Sequence, residues 1–249
     1  MISLTAETYS EALKKCRLFA GIPECAYSET LRYLHAKQKV FKKGEIVLDI
    51  GSESRSGLVL SGKIECSYQD EAFNKFNMNH LGAGYLFGEN MVCAGIEASP
   101  MQVITVSDCT IMFLDLGLLY DSESVYKYRA ELLGNLLRIL SAKNIFLNQK
   151  VRILSTKSLR DRIICYLQTL PSHAGKTSLP FSKTALAEFL CVNRTALSRE
   201  LSRMQSEGII TMNGREFVLC SLSVSCPSWP SRIPPHTPQN PSRNAPESL

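Results

Sequence analysis

The chain has 249 residues, of which 45% are hydrophobic, and a formal net charge of +5 at pH 7. This is enough material to bury a core in one large or two smaller domains. No apolar run approaches the ~20 residues of a membrane-spanning helix, and the first residues lack the basic-then-apolar order of a signal peptide. We therefore expect a soluble, cytoplasmic protein without a membrane partner.

The positive charge is concentrated in one part of the chain. Residues 1–149 carry a net charge of −2, residues 150–220 carry +6, and residues 221–249 carry +1. A basic segment behind a nearly neutral one is the distribution expected when only one part of a protein binds a polyanion.

Cysteines and histidines are numerous enough to be considered as ligands or nucleophiles. The nine cysteines are irregularly spaced and include no C-x-x-C pair, so we interpret them as free, buried thiols. The histidines are scattered and form no H-x-H pair: His35, His80, His173 and His236. We expect no metal site, no cofactor and no enzymatic activity.

The first part of the chain has the sequence pattern of an antiparallel β-domain. After a weakly periodic helical stretch over residues 8–20, short apolar runs alternate with glycine turns from Gln38 to about Leu116. The gaps are too short for the helical crossovers of a parallel sheet. This pattern predicts a sandwich or small barrel.

A long helix is predicted next, over residues 122–154, where Gly134 is the only glycine and proline is absent. Its apolar residues follow a heptad pattern, with one asparagine at an a position: Leu133, Leu137, Leu140, Asn144, Leu147, Val151 and Leu154. An asparagine at a favours a two-stranded parallel pair, so the pattern predicts a homodimer seam. The alternative is that this helix packs on its own barrel.

Capping residues divide the basic segment into helices. After a short joint, Leu154–Lys157, Ser158 with Asp161 predicts the start of a helix that ends near Leu170. A loop is expected between Pro171 and Pro180.

Two shorter helices and a hairpin follow. Ser182 is predicted to cap a helix over Lys183–Leu190, and Asn193 one over Arg194–Glu207 that Gly208 ends. The pair Asn213-Gly214 between two β-like runs predicts a hairpin.

Helix, turn, helix and hairpin form the plan of a winged helix–turn–helix. Leu186, Phe189, Leu190, Val192, Leu197, Leu201 and Met204 supply its core. Four polar residues near the start of the last helix are candidates for contacts with base edges: Arg194, Thr195, Ser198 and Arg199. Three more are candidates for phosphate contacts: Ser182, Lys183 and Arg203. The alternatives are a helix–turn–helix used only for packing and a nonspecific nucleic-acid-binding protein.

We divide the chain into four parts. Residues 1–120 form an effector-sensing β-barrel with an N-terminal helix, 121–155 a dimerisation helix and hinge, and 156–220 the DNA-binding domain. Residues 221–249 hold seven of the eleven prolines and are expected to be a disordered tail. The predicted fold is α+β: a cupin-like antiparallel barrel (jelly roll), a long helix and a winged helix–turn–helix.

This order of parts resembles the CRP/FNR family of bacterial transcription regulators over about residues 10–220. The most specific segments are "LNQKVRILSTKSLRDRIICYL" and "FSKTALAEFLCVNRTALSRELSRMQSEGIIT"; "KKGEIVLDIGS", "GLVLSGKIE" and "YLFGEN" support them. The resemblance implies a homodimer that binds a palindromic operator, works with RNA polymerase, and responds to an effector in the barrel. Thr195 stands where many members have Glu, which accepts a hydrogen bond from cytosine, so the half-site is expected to differ. Cys191 stands where the turn often has Gly, so the turn is expected either to be mildly strained or simply to tolerate Cys.

The nature of the effector is approached through the segment "GENMVCAGIEASPMQV". Members that bind cyclic nucleotides have Gly-Glu followed about ten residues later by an Arg and a small hydroxyl residue. Gly88 and Glu89 match this pattern. Ser99 stands in place of the Arg, and Pro100 stands in place of the small hydroxyl residue. A buried phosphate without its cation is costly, so we do not expect cAMP or cGMP. An effector pocket at Gly88, Glu89, Ser99 and Met101 would then hold an unidentified small molecule. The alternatives are a molecule bound against the dimer helix and no ligand at all.

Other sensing chemistries have weaker support. A thiol-based redox sensor at Cys93 or Cys109 stays open as an alternative. An iron–sulfur cluster would need more N-terminal cysteines than Cys16 and Cys25. His80 alone is a poor argument for haem.

Overall fold

The computed structural model describes residues 9–69, 75–170, 172–173, 176–178, 183–213 and 216–220. The chain divides into two compact units, Met1–Ser141 and Ala142–Leu249. Three sequence predictions lie outside the described residues: the helix cap at Ser182, the phosphate contact at Ser182 and the tail over 221–249. The four-part division of the chain stays a prediction.

Short strands dominate the first unit. They are β1 (Lys37–Phe41), β2 (Ile46–Leu48), β3 (Ser56–Ser61), β4 (Lys63–Gln69), β5 (Lys75–Gly82), β6 (Leu86–Phe87), β7 (Met101–Thr105) and β8 (Cys109–Leu114). They form two four-stranded sheets, in the orders β1-β8-β3-β6 and β2-β7-β4-β5. Every pairing between them is antiparallel. The predicted antiparallel jelly roll is confirmed.

One apolar cluster fills the barrel, and alternation along the strands creates it. In β7, every second residue from Met101 is buried, as a strand with one covered face requires. The buried members include Phe41, Leu48, Val59, Ile64, Phe87, Met91, Val103 and Ile111.

Helices cover the barrel and form a second cluster with it. They are α1 (Ser10–Lys15), α2 (Tyr27–Tyr33), α3 (Glu89–Cys93) and the first part of α4 (Arg129–Leu154). The helix predicted over 8–20 is shorter in the structure, because the chain turns at Cys16 into a 3-10 segment, Arg17–Phe19.

The long helix begins at Arg129, later than predicted. Tertiary contacts hold the residues before it in turns: the Tyr126 ring stacks on Tyr33 with centroids 4.5 Å apart, and its hydroxyl bonds Thr30 Oγ1 at 2.8 Å. These contacts outweigh the helical propensity of a segment that contains no breaker.

One face of α4 belongs to the first unit. Leu132, Leu136 and Ile139 are buried in the same cluster as the N-terminal helices. Between them, the buried Asn135 donates hydrogen bonds from Nδ2 to the carbonyls of Leu18 (3.0 Å) and Ala20 (2.7 Å). No local pattern in the chain predicts this attachment, because it joins residues more than 100 positions apart.

The second unit combines helices with a small sheet. Its elements are the end of α4, then α5 (Leu159–Thr169), β9 (Ser172–His173), β10 (Lys176–Ser178), α6 (Lys183–Phe189), α7 (Arg194–Ser206), β11 (Ile210–Asn213) and β12 (Glu216–Leu219). The strand order is β11-β12-β10-β9. The loop expected over Pro171–Pro180 is therefore wrong in part. Strands β9 and β10 lack apolar alternation and exist because β10 pairs with β12, which is distant in sequence.

Two of the three predicted helix caps lie in the described part of the chain, and both are present. Ser158 Oγ accepts a hydrogen bond from the Asp161 N–H at 3.0 Å, and Asn193 Oδ1 accepts one from the Ala196 N–H at 2.7 Å. Gly208 follows α7 with φ +71°, as expected for a glycine at the end of a helix. The hairpin is confirmed: Asn213, the last residue of β11, pairs with Glu216, the first residue of β12.

The predicted core of this unit is largely confirmed. Leu186, Leu190, Leu197, Leu201 and Met204 are buried, and Phe189 and Val192 pack partly buried against them. Among the described residues, no helix is both long and apolar enough to cross a membrane.

The turn between α6 and α7 places a side chain where glycine is usual. Cys191 has φ +55°, in the left-handed region. Its N–H donates to the Glu188 carbonyl and the Val192 N–H donates to the Ala187 carbonyl. This is the Schellman pattern, whose left-handed residue is most often Gly. The left-handed turn is therefore present at Cys191, and strain there stays a prediction.

We expect the Cys191→Gly variant to raise the stability of the second unit by about 0.5–1 kcal/mol, because glycine adopts positive φ without a steric penalty. Calorimetric melting of the full chain measures the change. The matched control is Cys191→Ala, which removes the thiol but keeps the strain and should melt as the wild type does. A Cys191→Gly variant no more stable than Cys191→Ala would contradict this account.

Candidate functional site

The start of α7 presents a polar ridge to solvent. Arg194, Thr195, Ser198 and Arg199 are all exposed. The opposite side of the helix carries Leu197, Leu201 and Met204, each buried. The helical repeat therefore brings the four predicted base-contacting residues together on one surface.

The two arginines of this ridge are available to bind a ligand. Within the described residues, neither Arg194 nor Arg199 forms an ion pair. A guanidinium that is not neutralised by its own protein can offer its planar fork to an acceptor pair such as guanine O6 and N7.

The predicted phosphate contacts differ from one another. Lys183 is the first residue of α6 and is partly exposed. Arg203 is exposed but donates from Nε to Glu207 Oε1 at 2.9 Å. Its charge is thus partly balanced. The spacing of four residues between Arg203 and Glu207 is a sequence signal for this pair that was missed.

Arg160 joins α5 to α7, which the sequence did not predict. Its Nε donates to Glu200 Oε1 at 2.8 Å, and its Nη1 donates to Glu207 Oε2 at 2.6 Å. The contact links residues 40 and 47 positions apart, so no local pattern reveals it.

Aromatic contacts attach the end of α4 to α6 within the second unit. The Phe189 ring lies 6.2 Å from the Phe146 ring and 5.0 Å from the Tyr166 ring, measured between centroids. Lys150 Nζ lies 5.2 Å from the centre of the same Phe189 ring. This part of α4 is therefore in direct contact with the helix that precedes the turn.

The predicted seam of α4 is partly open to solvent. Leu137, Leu147 and Val151 are 56%, 49% and 61% exposed, which is unusual for large apolar side chains on one helix. Asn144 is also exposed, and its Oδ1 accepts a hydrogen bond from Asn148 Nδ2 at 2.6 Å.

Two further seam residues have a different environment. Leu133 and Leu140 are partly buried against the core of the first unit. The alternative in which the helix packs on its own barrel therefore holds for one face of its first half, and the seam stripe lies beside that face.

The glycine of the effector segment has a steric role. Gly88 precedes α3 with φ +73°, and a Cβ there would lie 2.0 Å from the Arg55 carbonyl oxygen. Only glycine fits this close approach. Glu89, the first residue of α3, is fully buried.

At the other end of the segment, the hydroxyl of Ser99 forms its hydrogen bonds with nearby backbone. The Ser99 Oγ donates to the Met101 carbonyl at 2.8 Å and accepts from the Met101 N–H at 3.3 Å. It also lies 3.6 Å from the Met91 sulfur, so Ser99 meets α3. All three residues are buried. The structure thus brings the predicted pocket residues into one region, where the Ser99 hydroxyl is already bonded to the Met101 backbone.

The eight described cysteines lie outside any disulfide, as predicted. Of the described cysteines, Cys25, Cys191 and Cys220 are exposed, so the expectation of burial is wrong for these three. Burial raises the pKa of the Cys93 thiol, although Tyr120 Oη donates a hydrogen bond to its sulfur at 2.8 Å. Burial also raises the pKa of Cys109. A raised pKa lowers the thiolate fraction, and with it the reactivity that a redox sensor requires.

The described residues offer little support for a metal or haem site. In the described part of the chain, no cluster of three or more His, Cys, Asp or Glu residues is arranged to hold a metal ion. His80 Nε2 lies 3.2 Å from Glu65 Oε2 across the β4–β5 pair, an ordinary cross-strand contact.

Two family models match the chain in succession. The cyclic nucleotide-binding domain matches residues 38–121, and the Crp-like helix-turn-helix domain matches residues 136–223. No curated protein matched the sequence.

Solved structures show the same fold. The c-di-GMP responsive global regulator CLP of Xanthomonas campestris has 20% sequence identity and a TM-score of 0.55, and the alignment covers 79% of this chain and 99% of that one. CprK complexed with OCPA has 17% identity and a TM-score of 0.61, with coverage of 78% and 92%.

The order of the two matched domains and the exposed helix α7 agree with the resemblance seen in the sequence. This combination is that of DNA-binding transcription regulators with an effector domain, and not of enzymes. The chain belongs to the CRP/FNR family of transcription regulators.

Proposed function

We propose that this regulator is a homodimer that binds a palindromic operator with one α7 helix in the major groove of each half-site. The observation that carries the proposal is the ridge of Arg194, Thr195, Ser198 and Arg199, exposed opposite a buried apolar stripe. Two such ridges, about one DNA turn (~34 Å) apart, would contact successive major grooves. RNA polymerase is the expected further partner, and the cytoplasm, where bacterial DNA lies, the expected location.

The ridge chemistry favours guanine and disfavours the usual family half-site. Arg194 and Arg199 can each bond guanine O6 and N7 through two N–H groups. Thr195 has a hydroxyl and a methyl group in place of the carboxylate that accepts from cytosine N4. We therefore propose a half-site that differs from the common one at the base facing Thr195.

The apolar stripe of α4 supports the dimer. Three large side chains at seam positions, Leu137, Leu147 and Val151, are exposed in the single chain. Pairing with a second α4 would bury them and would bring the two Asn144 side chains together at an a position. In that pair, Asn144 would exchange its bond with Asn148 for one across the seam.

The proposed control acts through α4. An effector that binds one state of the dimer better than the other would shift the arrangement of the paired helices. Phe146 and Lys150 contact Phe189, so a shift of α4 would move α6 and the turn that sets α7. The joint after Leu154 would absorb part of the change.

The effector site favours a small molecule other than a cyclic nucleotide. The segment from Gly88 to Met101 contains no Lys or Arg, and the Ser99 hydroxyl is bonded to the Met101 backbone. Pro100 offers no N–H. The thiol-sensor alternative has less support, since burial raises the pKa of both Cys93 and Cys109.

Selection from random duplex DNA tests the main proposal, and we expect it to return a palindrome. Because Arg199 is proposed to contact a base, Arg199→Ala should weaken binding to that operator by ~1–3 kcal/mol and relax the preference at one base pair per half-site. Fluorescence anisotropy with single-base operator variants measures both effects.

The matched control for Arg199 is Arg203→Ala, which removes an arginine already bonded to Glu207 and should weaken binding to all sequences equally. Selection that yields no consensus would favour the nonspecific nucleic-acid binder. A uniform loss for Arg199→Ala would make Arg199 a phosphate contact.

The dimer is tested by Val151→Glu, which places two carboxylates at facing a positions. We expect the wild type to sediment as a dimer at micromolar concentration and the variant as a monomer, because like charges in an apolar seam are costly. Gln149→Glu adds the same charge away from the seam and should leave the dimer intact. A wild-type monomer would refute the seam.

Cyclic nucleotides are tested by thermal melting of the full chain. With no cation for the phosphate, 1 mM cAMP or cGMP is expected to leave the melting temperature unchanged. A ligand at ~100 times its Kd would add about 2.7 kcal/mol of stability and shift the transition by several degrees. A dose-dependent rise of that size would overturn this expectation.

A further inference from the structure

The side chain of Arg160 binds two carboxylates, that of Glu200 within α7 and that of Glu207, the C-cap residue of the same helix. Its Nε donates to Glu200, and its two terminal nitrogens donate to Glu207 at 2.6 and 3.2 Å. Glu200 and Arg160 are only 20% and 27% exposed, so water competes with this contact less than on an open surface.

The two carboxylates define one flank of α7. Glu200 and Glu207 are seven residues apart, so they lie two turns apart on nearly the same side of the helix. This flank lies between the buried stripe and the exposed ridge, roughly 130° around the helix from the centre of Thr195, Ser198 and Arg199 at 100° per residue.

Packing and the ion pairs restrain different motions of α7. The buried stripe of Leu197, Leu201 and Met204 holds the helix against the core, but apolar contacts are non-directional and tolerate a small rotation about the helix axis. A planar guanidinium bound to two carboxylates is directional. The hydrogen bonds from Arg160 lower the pKa of the Glu207 carboxyl.

We propose that Arg160 is a positioning residue for sequence-specific DNA binding: it fixes the rotation of α7 about its axis and so the direction in which Thr195, Ser198 and Arg199 point. Arg160 need not touch DNA for this role. The inference rests on the proposed function, since it concerns the operator that α7 contacts.

Three full-chain variants test the role. Arg160→Met removes the guanidinium and keeps an apolar stem. Arg160→Lys keeps the charge but not the fork. The matched control, Arg162→Met, removes the same charge from the same helix, where Arg162 Nε donates to the Thr156 carbonyl and not to α7. For each variant, anisotropy at one salt concentration gives Kd for the selected operator and for a random duplex of equal length.

We expect the ratio of the two Kd values to fall roughly tenfold in both Arg160 variants, because small displacements of contacting side chains cost specificity. In Arg162→Met, both affinities should fall by a similar factor and leave the ratio unchanged. Circular dichroism establishes that each variant is folded at the assay temperature. If Arg160→Met does not fold, Arg160→Lys and Glu200→Gln decide the question by the same ratio.

The outcomes separate the role of Arg160 from the function itself. An unchanged ratio in the folded Arg160 variants, or an equal fall in Arg162→Met, would overturn the positioning role. A wild-type chain that selects no sequence would instead overturn the proposed function, and the positioning role with it.

Discussion

The burial of three side chains of α7 determines which side of this helix faces solvent. Leu197, Leu201 and Met204 pack into its core, and the helical repeat then turns Arg194 and Arg199 toward solvent. The caps, the turn at Cys191 and the fork of Arg160 all refine the placement of this one helix. Because α7 carries the proposed contacts with bases, small errors in its rotation would alter specificity before they altered stability.

The long helix α4 carries two apolar surfaces, one buried and one exposed. Leu132, Leu136 and Ile139 bury one face in the first unit, whereas the neighbouring stripe with Leu147 and Val151 is exposed. A helix that served only its own barrel would not need this second stripe. The two faces together explain how one helix can belong to a folded monomer and still offer a surface to a partner.

The fold of the effector domain does not by itself specify the effector. Gly88 is required by the close approach of the Arg55 carbonyl, so its presence reflects the backbone and does not by itself imply a nucleotide. Ser99 uses its hydroxyl on Met101, in the segment where nucleotide-binding members hold a phosphate. Matching the cyclic nucleotide-binding domain model is therefore compatible with a different effector.

Local patterns were enough to predict much of this protein. Caps at Ser158 and Asn193, alternating strands, the stripe of α7 and the ridge opposite it depend on near neighbours and on the helical and strand repeats, so the sequence by itself determined them. The start of α4 at Arg129, the pairing of β10 with β12, the anchoring of Asn135 and the fork of Arg160 were decided only by the tertiary structure. Each of these joins residues that are distant in the chain, and the free energy of such contacts outweighs local propensity without leaving a trace in the local pattern.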